Sequence, residues 1–207
     1  DREGNLLVAD QDHCSLRRID PSGNVTTVFK GLTTSRGFCK VAPDDEEKPE
    51  KWIKIEHIVI DPQGRPVVGG SWVVIGVNIF SNIHRLHPDG RVEQLLSATK
   101  GYANSGKLRV ELLSGMAYLP DGTLRIADAP NNLLRTLNGT RLSDWLGVQG
   151  SKGHKDITGP ASQASLRMPG WLRVSGDGTL FVAPFTPRSS PVRKVDPKTR
   201  AVSTWLY

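Results

Sequence analysis

Short runs of alternating apolar and polar residues, separated by turns, occupy most of the chain. One phrase recurs four times, a turn that ends in glycine followed by an alternating run: DREGNLLVAD, DPQGRPVVGG, PDGTLRIAD and GDGTLFVAP. Alternation with a period of two is typical of strands with one buried face, and Asp and Gly are typical of tight turns. The turn glycines, 56 to 60 residues apart, are Gly4, Gly64, Gly122 and Gly178. This even spacing predicts a structural repeat.

Further apolar runs complete each repeat. A second run carries a basic residue: LRRID, IHRLHPDG, LLRTL and VRKVD. A third run closes each unit, and three of the four units also have a run before the turn: HIVID, GMAYL and GWLRV. Each unit is therefore predicted to be a four-stranded antiparallel meander, with the opening strand missing from the first. Such a meander cannot bury both faces alone, so the sequence predicts an all-β propeller with about four blades.

Two longer strings make the pattern more specific. NLLVADQDHCSLRRIDPSGNVTTV and the segment from Gly159 to Leu206 resemble NHL repeats, in which a strand ending in Val-Ala-Asp leads to an Asn-His hairpin and an Ile-Arg-Lys-Ile run. The resemblance implies a hairpin role for His13. The chain departs from this pattern at Gly70 and Pro184, which replace the Asp, and at His84, which replaces the first Arg. The hairpins of the second and fourth units are therefore expected to differ.

The predicted organisation is one domain, 1–207, with blades at about 1–30, 54–97, 112–147 and 168–207. Proteins of the NHL type usually have six blades, so the resemblance implies part of a larger or truncated propeller. A compact four-bladed ring with long loops is the alternative. An open propeller edge would favour a dimer or an associated second fragment.

Charge is concentrated in the predicted loops. The 27 Lys and Arg outnumber the 21 Asp and Glu, giving a formal net charge of +6. The long loops and the hairpins that should share one face carry +5 of this by count. A basic face is compatible with an anionic partner, although charged residues also collect in solvated loops. The acidic run from Asp44 to Glu50 would oppose phosphate or dock a basic partner.

The chain offers few other constraints. Its longest apolar stretch, 72–77, is too short to cross a bilayer, and no membrane span is expected. Cys14 and Cys39 do not make a disulfide framework or a metal motif, and two free, partly buried thiols are expected. The compartment is left unassigned.

Single residues favour structure over catalysis. Asp10 with Arg17, and Asp128 with Arg135, recur seven residues apart across a hairpin, which indicates ion pairs that build the blade together with the turn glycines. His84 and His87 should lie on opposite faces of a strand, so they cannot share a metal. No nucleophile, nucleotide or metalloprotease motif is present. No catalytic residue, metal site or cofactor is therefore predicted.

The leading functional hypothesis is a non-catalytic scaffold that presents its basic loop face to a protein, peptide or RNA. NHL propellers commonly serve as interaction domains, and some bind single-stranded RNA. The candidate partner-binding residues are basic or aromatic: Arg36, Lys40, Trp52, Tyr102, Lys107, Arg109, Trp171 and Arg188.

Two alternatives are kept. One is a propeller hydrolase or lyase, similar to lactonases, with a metal in a central channel. Its candidate ligands are Glu56, Asn78, Asn131 and Asp128, and the adjacent Glu56 and His57 are its candidate channel-facing pair. The other is a structural segment of a large extracellular protein.

Overall fold

A computed structural model describes residues 1–34, 38–45, 48, 51–73, 79–99, 110–148, 157–186 and 191–206. These ranges contain eighteen β-strands and two single 3₁₀ turns, Pro43–Asp45 and Ala129–Asn131. No described helix has the length and apolar character needed to cross a bilayer. The chain divides into two compact units, Asp1–Thr99 and Lys100–Tyr207.

The first unit contains two larger antiparallel sheets and one small one. The first sheet has three strands: β1 (Leu6–Asp10), β2 (Ser15–Ile19) and β3 (Val25–Lys30). The small sheet follows: β4 (Leu32–Thr33), β5 (Cys39–Lys40) and β6 (Trp52–Ile53). The third sheet has four strands: β7 (His57–Ile60), β8 (Pro66–Val73), β9 (Ile79–Leu86) and β10 (Val92–Thr99).

The second unit contains two four-stranded antiparallel meanders. One has β11 (Leu113–Tyr118), β12 (Leu124–Asp128), β13 (Leu133–Asn138) and β14 (Arg141–Gly147). The other has β15 (Pro169–Val174), β16 (Leu180–Pro184), β17 (Val192–Val195) and β18 (Val202–Leu206). The prediction of four-stranded antiparallel sheets, with a first sheet that lacks its opening strand, is confirmed.

The recurring turns have the backbone that their residues favour. In the turn before β8, the Asp61 carboxylate accepts the backbone N–H groups of Gln63 at 2.9 Å and Arg65 at 2.8 Å. Gly64 has a φ of +84°, which a residue without a Cβ adopts readily. The equivalent glycines in the other three turns have φ values from +80° to +88°.

A β-bulge lies between the last two strands of each larger sheet. The unpaired residues are Val28, Leu95, Trp145 and Trp205. The residue just before each bulge pairs with the basic residue of the preceding strand: Arg17, His84, Arg135 or Arg193. A bulge changes the direction of the neighbouring side chain. In each larger sheet, the residue just before the bulge can therefore make a polar contact with the basic residue opposite it.

In the first unit, the core lies between the sheet β1–β3 and the sheet β7–β10. The buried residues of this cluster are Leu16, Ile53, Ile55, Val68 and Leu86. A second cluster stacks aromatic rings, with centroids 4.6 Å apart for Phe38 and Trp52 and 6.3 Å apart for Trp52 and Trp72. It packs the small sheet onto β8 and β9.

In the second unit, the two sheets pack face to face. Their shared core includes Leu134, Leu146, Leu172, Val182 and Val195. The first strands of the two sheets approach so closely that a Cβ added at Gly115 would lie 2.1 Å from the Gly170 carbonyl oxygen. The Ser114 hydroxyl closes the same contact by donating to the Pro169 carbonyl at 2.8 Å.

The segment between β3 and β7 corrects two sequence predictions. It was expected to be a long loop, but strands β4, β5 and β6 form a sheet within it. The expectation of free thiols is also wrong, because Cys14 and Cys39 form a disulfide with Cα atoms 5.4 Å apart. The antiparallel pairing of β4 with β5 brings Cys39 back to Cys14 at the beginning of β2, which spacing alone does not reveal.

Candidate functional site

In the sheet β1–β3, charged side chains close the first hairpin. Asp10 Oδ2 lies 3.2 Å from Arg17 Nε, and Asp10 Oδ1 accepts a hydrogen bond from His13 Nδ1 at 2.8 Å. Arg17 also donates to the Thr27 hydroxyl beside the bulge. The bond from His13, with help from Arg17, holds the pKa of Asp10 below its usual value. The Asp10 carboxylate therefore stabilises the hairpin through its bonds to His13 and Arg17.

The sheet β11–β14 repeats the arrangement in a buried setting. Asp128 accepts hydrogen bonds from Asn131 Nδ2 at 2.9 Å and from the Glu111 backbone at 3.0 Å, and lies 3.5 Å from Arg135 Nε. The same Arg135 nitrogen lies 3.2 Å from Asp144, the residue before the bulge. Burial raises the pKa of Asp128 to about 6, against these contacts. The group anchors the run that enters β11.

The sheet β7–β10 lacks both members of this pair. Gly70 and His84 occupy the positions of the Asp and the Arg. Burial lowers the pKa of His84 to about 4, so the imidazole is neutral near pH 7 and needs no carboxylate. Gln94, the residue before the bulge, lies 3.5 Å from His84 Nε2. The charged Asp and Arg of two other sheets are thus both replaced here by uncharged residues, Gly70 and His84.

Glu56 occupies the space that Gly70 leaves open. A Cβ at Gly70 would lie 2.8 Å from Glu56 Oε2 and 3.1 Å from the Lys54 side chain. Lys54 Nζ lies 2.6 Å from Glu56 Oε1, and each side chain is about one-third exposed, at 31% and 33%. Ser71 holds both groups, since its N–H donates to Glu56 Oε2 at 3.1 Å and its carbonyl accepts from Lys54 Nζ at 2.8 Å. The result is a fixed, solvent-accessible carboxylate and ammonium pair at the entrance to β7.

The sheet β15–β18 presents an exposed aromatic face. Trp171 is 53% exposed and Trp205 is 57% exposed, and the Trp205 ring meets the Phe181 ring edge-on at 4.9 Å. Arg173, Phe181 and Lys194 are directly opposite one another across β15, β16 and β17. This aromatic face combines stacking surfaces with basic side chains.

The structure places three of the predicted partner-binding residues. Trp171 lies on the aromatic face. Lys40 is buried and donates to the Pro43 carbonyl at 3.1 Å, and Trp52 is 1% exposed. The expectation that Trp52 is exposed for stacking is therefore wrong, because Phe38 and Trp72 cover its ring. The other five lie outside the described residues: Arg36, Tyr102, Lys107, Arg109 and Arg188.

The candidate metal ligands are engaged with other groups. Glu56 is paired with Lys54, while Asp128 and Asn131 bond to each other. Asn78 lies outside the described residues. No group of three or more His, Cys, Asp or Glu side chains that could hold a metal ion occurs within the described ranges. The residues described here thus do not fit the metal centre that the sequence alternative requires.

The chain has the fold of a β-propeller built of antiparallel sheets, as the sequence predicts. Solved structures with this fold include a streptogramin B lyase (11% identity, TM-score 0.53, covering 100% of this chain and 52% of that one). A luciferin-regenerating enzyme matches at 12% identity and a TM-score of 0.58, over 98% of this chain and 59% of that one. The calcium-binding protein regucalcin from Agrobacterium tumefaciens matches at 15% identity and a TM-score of 0.56, over 97% of this chain and 56% of that one.

These likenesses show the fold. The chain spans about half the length of two of the lyases it matches, at 52% and 53%. No family model matches the sequence, and no curated protein matches it.

Sequence reasoning missed Lys54 and Trp205 as candidate site residues. Lys54 falls in a predicted loop, and its partner Glu56 is two residues away, a spacing with no motif of its own. Trp205 stands in a predicted strand, where an aromatic side chain is expected to pack inside the fold. Its exposure depends on how the sheet packs, for which the sequence carries no local signal.

Proposed function

We propose that this chain is part of a propeller enzyme of the hydrolase or lyase class, with Lys54 and Glu56 as its acid–base pair. The observation that carries the proposal is the salt bridge of these two groups at the entrance to β7, held by the Ser71 backbone. The solved structures with this fold support this class over the scaffold hypothesis, since they include a streptogramin B lyase and a luciferin-regenerating enzyme.

The pair has the features that proton transfer needs. A carboxylate within 2.6 Å of an ammonium group can accept a proton while the lysine donates one. Backbone contacts fix both groups, so little reorganisation is needed when a substrate arrives. Partial exposure leaves them accessible to a substrate. No step is assigned to a metal, because the described residues do not provide its ligands.

The experiment is an activity screen with matched variants. Ring opening of lactones is followed by proton release, and loss of streptogramin B is followed by chromatography. Glu56→Gln keeps the size of the side chain and removes the base, so turnover should fall by about 10²-fold or more. The control is Glu93→Gln, which removes a carboxylate of the same sheet that is 37% exposed, and should change the rate by less than about threefold.

Two results would contradict the proposal. One is a folded wild-type protein that turns over none of these compounds. The other is equal activity in Glu56→Gln and wild type, which would place the chemistry elsewhere.

A second function, binding through the aromatic face, is favoured by the exposure of Trp171 and Trp205. Exposed indole rings next to Arg173 and Lys194 provide stacking together with positive charge, the combination that single-stranded nucleic acid needs. For this second function the proposed binding surface is the sheet β15–β18, whereas the sequence predicts the long loops.

A further inference from the structure

A cleft of about 560 Å³ opens in the first unit. It lies between the sheet β1–β3 and the sheet β7–β10, next to the turns that contain Gly4, Gly64 and Gly90. Its volume is in the range of small-molecule sites. None of the proposed acid–base residues lines it.

Apolar residues form part of the cleft wall. Leu7 and Val28 contribute from one sheet, and Ile60, Pro66 and Leu86 from the other. Leu7, Val28 and Leu86 also belong to the buried cluster between the two sheets, so the floor of the cleft is the edge of the core. An apolar ligand body would therefore remain in contact with apolar side chains on both sides.

Three arginines line the cleft and retain unused donors. The Arg18 guanidinium lines the cleft and makes no hydrogen bond or ion pair with another described residue. Arg2 uses only Nη2, which donates to the Pro62 carbonyl at 2.9 Å. Arg65 uses Nε with Asp61 at 2.7 Å and Nη2 with Gln63 at 3.0 Å. A guanidinium has five N–H donors, so all three can still bind a carboxylate, sulfonate or phosphate.

The carboxylates of the cleft are used within their own turn. Asp1 accepts the backbone N–H groups of Glu3 at 3.0 Å and Asn5 at 2.9 Å, and also the Asn5 amide at 2.8 Å. Glu3 accepts from the same amide at 3.2 Å. His87 is engaged as well, since it bonds to Glu93 at 2.9 Å and to Arg91 at 3.0 Å. The polar groups of the cleft that still have hydrogen-bonding sites to offer are therefore the N–H donors of the positively charged arginines.

We propose that this cleft binds a small organic anion with an apolar body, and that Arg18 holds the anionic group. The apolar wall recognises the body, while Arg2 and Arg65 add charge at the rim. This site is separate from the proposed acid–base pair and does not depend on it.

The probes are two fluorescent compounds that differ in one group. 8-Anilinonaphthalene-1-sulfonate carries an apolar body and a sulfonate, and N-phenyl-1-naphthylamine has the same body without charge. The wild-type chain should bind the sulfonate at one site, at least tenfold more tightly than the neutral compound, and more weakly at high salt. Arg18→Ala should weaken sulfonate binding about tenfold and leave binding of the neutral compound unchanged.

Two further variants locate the site. Arg141→Ala removes another exposed arginine, in the other unit, and should leave both affinities unchanged. Val28→Trp should fill the cleft and abolish binding of both probes, with the far-UV circular dichroism of the wild type retained. If Arg18→Ala and Arg141→Ala bind the sulfonate equally, or if a folded Val28→Trp variant still binds it, the proposal is wrong.

Discussion

Gly70 shows how one missing side chain changes a recurring arrangement. In two other sheets an Asp at this position pairs with an Arg across the hairpin, at 3.2 Å and 3.5 Å. Here the absence of a Cβ admits Glu56 from the entering strand, and the neutral His84 removes the need for a counter-charge. The replacement changes a pair that builds the sheet into an accessible pair with potential chemistry.

Asp128 provides a prediction at the residue scale. Its pKa is about 6 in the folded chain against an ordinary value of 3.8, so the folded state binds this proton more tightly. The group therefore favours folding below pH 4, and this contribution is lost as the pH rises through 6. At most about 3 kcal/mol of unfolding free energy is involved, from a shift of about two pKa units.

The measurement is denaturant unfolding from pH 4 to pH 7 on wild type and Asp128→Asn. The difference in unfolding free energy between them should change in favour of the variant as the pH rises. Carboxylates with lowered pKa values, such as Asp10 and Asp20, titrate in both proteins and cancel in the difference. Parallel pH profiles would mean that burial does not control this group.

At the scale of elements, the bulge and the disulfide organise the first unit. The bulge at Val28 aligns Thr27 with Arg17, while the disulfide ties the beginning of β2 to β5. The strands β4, β5 and β6 have two residues each, too few for an independent sheet. They depend on the disulfide and on the stacking of Trp52 against Phe38 and Trp72.

Reduction of the disulfide should therefore destabilise the first unit. The half-cystines are 25 residues apart, and closing a loop of this length contributes about 3 kcal/mol to the free energy of unfolding. Thermal unfolding with and without a phosphine reductant measures the shift, and the reductant should lower the midpoint. The Cys14→Ala/Cys39→Ala protein is the control, because the reductant should leave its midpoint unchanged. An unshifted wild-type midpoint would contradict the role given to this bond.

At the scale of the whole molecule, the larger sheets within each unit bury one face against each other and leave another face open. The sheet β15–β18 buries Leu172 and Val182 on one side and exposes Trp171 and Trp205 on the other. The exposed face has the aromatic content that is typical of an interface.

Binding of oligouridine tests this face. Wild type should retain it with an affinity that falls as salt rises, and Trp171→Ala/Trp205→Ala should weaken it at least tenfold, because each stacked base contributes about 1–3 kcal/mol. Leu6→Ala removes an exposed apolar side chain of another sheet and should have no effect. Salt-independent retention, or equal retention by the two variants, would exclude nucleic acid and leave a protein or peptide as the partner of this face.

Local periodicity determined much of the fold. Alternation along the strands and the Asp and Gly turns predict the four larger sheets, because strand period and turn geometry are properties of neighbouring residues. The small sheet β4–β6 was not predicted, because its strands are too short to show an alternating pattern. The disulfide was not predicted either, because the cysteines are brought together by the pairing of β4 with β5, which their spacing in the sequence does not show.

The candidate sites were decided by tertiary structure. The sequence names Glu56 and Trp171, but the missing Cβ at Gly70 leaves room for Lys54 beside Glu56, and the packing of the sheet β15–β18 leaves Trp205 exposed. The cleft around Arg18 exists only because two sheets meet there. The sequence by itself thus determined the strands, turns and composition of this propeller chain. Packing decided which charged side chains form ion pairs within the fold and which remain accessible to a ligand, because ion pairing depends on contacts between residues far apart in the chain.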